Sequence, residues 1–280
     1  MKMKNCILII MVLAINVVLA KASNTYPFDV QKTGVGKKAV IFIPGFGCSG
    51  DVWTDTRLHL DKQFTCYTLT MAGFAGTAPQ ENATFDRWKQ GVAQYIQDHN
   101  IDRPIVIGHS MGGALALALA ADYPLLVGKI VVVDALPCLS ALRDPNFKSN
   151  PSNDCSPWAT QMGSTSDEQF SQMQKMSIPS LVQDQSKYDL IVGWTVKSDR
   201  KTFGNMYCDF LNTDLREKIK SITCPSLVLL ESAFKPMATT MEDQYKGLAT
   251  GNIKYADKGL HFIMFDDFDW YMNQINEFLK

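Results

Sequence analysis

Pro104-Ile105-Val106-Ile107-Gly108-His109-Ser110-Met111-Gly112-Gly113-Ala114-Leu115-Ala116-Leu117-Ala118-Leu119-Ala120-Ala121 is the stretch on which the reading of this chain turns. A short β-branched apolar run enters the centre of it and an Ala/Leu-rich run leaves it, which predicts a buried strand followed at once by a buried helix. The connection at Ser110 has no room for a loop. A serine on so tight a strand-to-helix turn has a strained backbone and a hydroxyl lifted clear of the sheet, and only glycine clears the crowding on either side. Gly108 and Gly112 stand where that crowding falls. The Gly-x-Ser-x-Gly pattern alone is weak, and its flanks give it weight.

The same alternation continues outward. Past an irregular start, residues 37–44 contain Ala39-Val40-Ile41-Phe42-Ile43 and end in Pro44-Gly45-Phe46-Gly47, the pattern of a strand buried on both faces. Ser49 and Asp51 can cap a helix running to about Gln63, and residues 64–71 read as the next strand. Thr84 opens a helix with Phe85, Trp88, Val92, Tyr95 and Ile96 at helical spacing, and Ile130-Val131-Val132-Val133-Asp134 is a further strand. This order predicts an α/β fold with a mostly parallel sheet covered by helices on both faces. From about residue 137 to 212 the pattern breaks into a segment rich in Ser, Asp, Gln and Met with short helical stretches, one of them over residues 199–211 capped by Ser198. The sheet pattern resumes at 225–230 and 252–256 and closes with a helix from Asp267. The expected organisation is a core of residues 23–136 and 213–280, with residues 137–212 inserted as a mainly helical cap.

Residues 1–22 stand apart, because Lys2 and Lys4 precede an apolar stretch from Cys6 to Ala20 and Ala20-Lys21-Ala22 offers a small-x-small cleavage site. This is the composition of a secretory signal peptide cleaved after Ala22, too short and interrupted at Asn16 for a bilayer span. A secreted or periplasmic protein with no stable membrane span after processing is expected. Loss of Lys2, Lys4 and Lys21 takes 27 basic side chains to 24 against 28 acidic ones, without long runs of one sign. Nothing in that balance points to nucleic acid. Six cysteines remain, Cys48, Cys66, Cys138, Cys155, Cys208 and Cys224. Export makes disulfides plausible in any of fifteen connectivities, with the short loops Cys138–Cys155 and Cys208–Cys224 the simplest expectation beside buried free thiols. No Cys/His spacing fits zinc, and no metal is expected.

A serine hydroxyl is a poor nucleophile at neutral pH and needs an adjacent base, which in turn needs a group to hold its tautomer. Four histidines are available. His59 and His99 lie in or just after helical patterns, and His109 adjoins Ser110, where successive side chains point apart. His261, in a loop after the last strand and before the apolar run Phe262 to Phe265, is the candidate base.

With the elbow and the late histidine in place, the mature chain resembles the α/β-hydrolase superfamily over nearly its whole length. The resemblance implies a serine hydrolase in which Ser110 attacks a carbonyl, His261 relays the proton and water releases the acyl group, with no cofactor. It places the oxyanion hole at the backbone N–H groups of Phe46, in the loop after the first apolar strand, and of Met111, after the nucleophile. It also leaves a choice of acid. The commonest family position, after the strand at 225–230, reads Glu231-Ser232-Ala233-Phe234 with no Asp. Some relatives carry the acid after the preceding strand, where Asp134 closes an apolar run and is costly to bury unpaired. Asp134 is the first choice, Glu231 the alternative, and Asp257 sits too close to His261 along the chain. The substrate implied is a small-molecule carboxylic ester. An apolar acyl or alkyl part would follow if Trp158, Met162, Phe170, Met173, Met176, Trp194, Met206 and Tyr207 faced the site instead of forming the cap's own core. An amidase, peptidase or C–C bond hydrolase could use the same groups, and a non-catalytic small-ligand-binding protein could keep the same fold.

Overall fold

The computed structural model describes residues 26–280, so the expected signal peptide lies outside the described residues. Among these residues seven strands form one sheet: β1 (Phe28–Gly34), β2 (Lys38–Ile43), β3 (Phe64–Met71), β4 (Ile105–His109), β5 (Lys129–Val133), β6 (Ser226–Leu230) and β7 (Gly251–Tyr255). Their order is β1-β3-β2-β4-β5-β6-β7. Only β1 runs antiparallel, against β3; every other pair is parallel.

The continuous apolar runs are explained by which face each side chain takes. Successive residues of a strand point to opposite faces, and here both faces are covered. Ile41, Val106, Ile130, Val132 and Val228 belong to one hydrophobic core. Their neighbours Val40, Phe42, Ile107, Val131 and Leu227 belong to the other. The helix Met111–Asp122 lies inside the first core with every side chain from Met111 to Ala121 buried, which its small alanines permit. The helix Phe85–Asp98 covers it from outside with an apolar stripe, and Thr84 Oγ1 caps it by accepting from Arg87 N–H.

Several local expectations are corrected. The irregular start contains β1, whose Asp29, Gln31 and Lys32 are exposed at the sheet edge and hide the strand from a burial pattern. The helix Arg200–Leu211 is capped by Asp199, whose Oδ1 accepts from Thr202 N–H at 2.8 Å, while Ser198 Oγ accepts instead from Ala75 N–H. A helix at Ala238–Tyr245 between β6 and β7 was not expected.

The cysteine pairing also differs. The disulfide joins Cys155 to Cys208, and Cys48, Cys66, Cys138 and Cys224 are buried free thiols. Cys155 stands at the N-cap of the helix Ser156–Gly163, which packs along Arg200–Leu211 and so brings Cys208 beside it. Cys138 follows β5 and Cys224 precedes β6, so neither can follow its expected partner into that helix pair. The helices Ser156–Gly163, Asp167–Ser177, Tyr188–Val196 and Arg200–Leu211 all lie between β5 and β6 in the chain.

Candidate active site

Ser110 adopts φ +53° and ψ −124° at the end of β4, a conformation that L-residues rarely take. Its N–H donates to Val133 O at 2.9 Å, which fixes the turn against β5. The glycine requirement is steric: a Cβ at Gly108 would meet Gly112 O at 2.1 Å, and one at Gly112 would meet Ile43 O at 2.3 Å.

Asp134 closes β5 at φ +46° and is 3% exposed. Its Oδ2 accepts from His261 Nδ1 at 2.6 Å and its Oδ1 accepts from the backbone N–H of Glu231 at 2.7 Å. The carboxylate therefore has a donor on each oxygen, as a buried charge requires. Because that contact uses Nδ1–H, the imidazole presents Nε2 as its free basic nitrogen.

The loop holding His261 is pinned along its length. Leu260 N–H donates to Asp266 Oδ2 at 2.9 Å, Lys258 N–H to Asp267 Oδ2 at 3.2 Å, and Phe262 N–H to Leu181 O at 3.1 Å. The carbonyl of His261 itself accepts from His109 Nε2 at 2.9 Å. His109, which is not a base candidate in the sequence, directs its ring at the backbone of the expected base. A carbonyl only accepts, so the His109 proton is on Nε2, and its Nδ1 is buried without a partner among the described residues. A Cβ at Gly45 would lie 2.7 Å from that Nδ1, which places His109 between the loop after β2 and the loop after β7.

The electrostatics follow this geometry. Burial pulls His261 down, but the hydrogen bond and charge of Asp134, with the charge of Glu231, outweigh it and leave the imidazole above its ordinary value. His109 is held well below the ordinary value by burial and by His261, and is neutral. Glu231 is pushed up to about 7, first by burial and then by the charge of Asp134, with His261 opposing.

These groups face one cavity of about 390 Å³. Ser110, His261, Asp134, Glu231 and Phe46 all line it. Met111 does not, because its side chain is buried in the core, but its N–H is the first of the helix and, like that of Phe46, carries no hydrogen bond among the described residues. No hydrogen bond joins Ser110 Oγ to His261 among the described residues; such contacts are often loose before substrate binds. The arrangement offers a hydroxyl, a base with its tautomer fixed, and two backbone donors.

The rest of the lining is mainly apolar, but it draws little on the eight aromatic and methionine residues for which the sequence left open the cavity wall or the segment's own core. Of the eight aromatic and methionine candidates only Tyr207 lines the cavity. Phe170, Trp194 and Met206 are buried in the cores, and Trp158, Met173 and Met176 are exposed. The apolar walls come instead from Leu136, Ile178, Leu181, Ile191, Phe203 and Phe234. Those residues are scattered over five segments of the chain and share no local period by which they could have been found.

Comparison with known proteins agrees with the architecture. The chain is 26% identical over 199 residues to the pimeloyl-[acyl-carrier protein] methyl ester esterase of Aliivibrio fischeri, covering 70% of this chain and 74% of that one. It is 32% identical over 103 residues to the dihydrolipoyllysine-residue acetyltransferase component of the acetoin cleaving system of Cupriavidus necator, but spans only 28% of that protein's length. The enol-lactonase of Burkholderia xenovorans superposes with a TM-score of 0.75 at 17% identity, covering 91% of this chain and 97% of that one. A thermophilic esterase of Thermogutta terrifontis superposes with the same score, also at 17% identity, covering 90% and 92%. The sequence model of the alpha/beta hydrolase fold matches residues 38–229, and with the elbow at Ser110 and the sheet order above, the chain belongs to the alpha/beta hydrolase family.

Proposed function

We propose that this protein is a serine hydrolase of carboxylic esters, with Ser110 as nucleophile, His261 as general base and then acid, and Asp134 as the group that orients His261. The observation that carries the reading is the 2.6 Å contact between Asp134 and the late histidine, facing the cavity that Ser110 enters. Ser110 Oγ attacks the ester carbonyl as His261 Nε2 takes its proton, and the N–H groups of Phe46 and Met111 receive the developing oxyanion. His261 then protonates the departing alcohol. Water, deprotonated by the same nitrogen, attacks the acyl-enzyme carbonyl, and as the bond to Ser110 Oγ breaks and the carboxylic acid leaves, His261 gives that proton to Oγ. The curated relative named as a methyl ester esterase supports ester substrates over amides.

Residues 137–212 are proposed as a cap over the site, since Ile178, Leu181, Ile191, Phe203 and Tyr207 come from that segment to line the cavity. Export is proposed as well. The leader composition of residues 1–22 and the oxidised pair Cys155–Cys208 favour an oxidising compartment. The mature protein is expected to hydrolyse p-nitrophenyl butyrate and to be labelled covalently by a fluorophosphonate. Ser110→Ala should lose both, and equal hydrolysis by that variant would sink the assignment. Cell fractionation with N-terminal sequencing of the exported form tests the cleavage after Ala22.

A further inference from the structure

We propose that the Ser110 cavity selects acyl groups that carry no negative charge, and that Glu231 is the residue that sets this selectivity. The inference rests on the ester-hydrolase reading and deepens it. Among the residues lining the cavity, the only charged side chains besides the histidines are Asp134 and Glu231; no Lys or Arg is among them. Cations that lie near the lining segments in sequence are engaged elsewhere. Lys235 pairs with Asp257 at 3.4 Å, Lys187 sits over the Phe265 ring, and Arg200 binds Asp167 and Thr165 O. A carboxylate on the acyl chain would therefore lose water in a mainly apolar cavity and find no countercharge.

The two acidic residues differ in what they can do to such a substrate. Asp134 is consumed by His261 on one oxygen and by the Glu231 N–H on the other. The Glu231 carboxyl has neither an ion pair nor a hydrogen bond among the described residues, although it is partly buried and lines the cavity. Its backbone N–H is bonded to Asp134, which fixes the point from which the side chain leaves the strand to line the cavity. Gln174, buried on the helix Asp167–Ser177 and also lining the cavity, is neutral and does not offset the charge. Above about pH 7 Glu231 is ionised and acts on a second carboxylate by repulsion across a poorly screened space, which is worth on the order of tenfold beyond the cost of desolvation.

The test compares p-nitrophenyl hexanoate with mono-p-nitrophenyl adipate, which have the same acyl length and differ by one carboxylate set too far along the chain to attack its own ester readily, at about pH 8. Each kcat/KM is divided by the ester's own hydroxide-catalysed rate. The wild type should favour hexanoate by about a hundredfold. Glu231→Gln keeps the backbone N–H on Asp134 and should narrow the ratio about tenfold, and Glu231→Ser gives a second uncharged variant if the first folds poorly. Equal rates for the two esters in the wild type, or a ratio unchanged in the uncharged variants, overturns the proposal. Turnover of neither ester by the wild type defeats the ester-hydrolase reading instead.

Discussion

Replacing Asp134 by Asn tests how the site works. At a separation of 2.6 Å and an effective dielectric of about 20, the carboxylate attracts an imidazolium at His261 by about 6 kcal/mol. Asn keeps the shape and a dipole, so part of this is retained, but its NH₂ group can turn toward Nδ1 and favour the wrong tautomer. A loss of about 4–5 kcal/mol in the transition state corresponds to roughly 10³–10⁴ in kcat/KM. The pH profile carries a second readout. His261 works as a base only when neutral, and Asp134 raises its pKa above the ordinary imidazole value. Activity of the wild type should thus fall as the pH drops through a midpoint above the usual 6.5. Asp134→Asn removes the larger upward influence and leaves that of Glu231 against the downward pull of burial, so the acid limb of the residual activity should move to lower pH. The assay is hydrolysis of p-nitrophenyl butyrate from about pH 5 to about pH 9, with thermal melts to show that the variant is folded. A loss below tenfold, an unmoved acid limb, or a larger loss from Glu231→Gln would refute Asp134 as the orienting acid.

Four further outcomes are expected. His109→Phe removes the donor to the His261 carbonyl and should lower kcat about tenfold with little change in KM, since one net hydrogen bond is worth about 1–1.5 kcal/mol; His109→Gln, whose amide can reach the same oxygen, should restore most of it. Gly112→Ala places a methyl 2.3 Å from Ile43 O, so it should cost more than about 4 kcal/mol in urea unfolding or abolish soluble expression. Reduction of Cys155–Cys208 opens a loop spanning 53 residues, worth up to about 4 kcal/mol; Cys155→Ser should lower Tm, and an unchanged melt would count against the bridge. Glu231 binds its proton more tightly folded, at about 7, than at its ordinary 4.5, so it costs stability as the pH rises through that window. The bound of about 3 kcal/mol shrinks to about 1 for a partly exposed group, and Glu231→Gln should gain that much at about pH 8 relative to about pH 5 in urea melts.

What the sequence made legible was local. The elbow could be read because its strand, its glycines and its helix are contiguous, and the steric demand at Gly108 and Gly112 acts within a few residues. The buried strands were legible because both faces of the sheet are covered, which leaves an unbroken apolar run at β2, β4, β5 and β6. The edge strand β1 was not, because most of its residues face water. Nor was the pairing of Cys155 with Cys208, which depends on how two helices of the 137–212 segment lie side by side.

The choice between Asp134 and Glu231 shows where local reading ends. Strands β5 and β6 are neighbours, and their register pairs Val133 with Leu229. Continuing that register sets Asp134 beside Leu230 and Glu231 one residue further on, so both carboxylates leave the sheet at nearly the same level. Each is one residue past an apolar strand, and sequence spacing treats them alike. What separates them is the turn: at φ +46° Asp134 is directed to His261, 127 residues away, while its second oxygen takes the N–H of Glu231. The contact that orients Asp134 therefore comes from the backbone of its rival, and it leaves the Glu231 side chain unpaired. A carboxylate in that position either orients the histidine or faces the substrate. With Asp134 on Nδ1, Glu231 is left to the cavity, and the two variants Asp134→Asn and Glu231→Gln should accordingly fail in different ways, the first in rate for every ester and the second in which acyl groups are accepted.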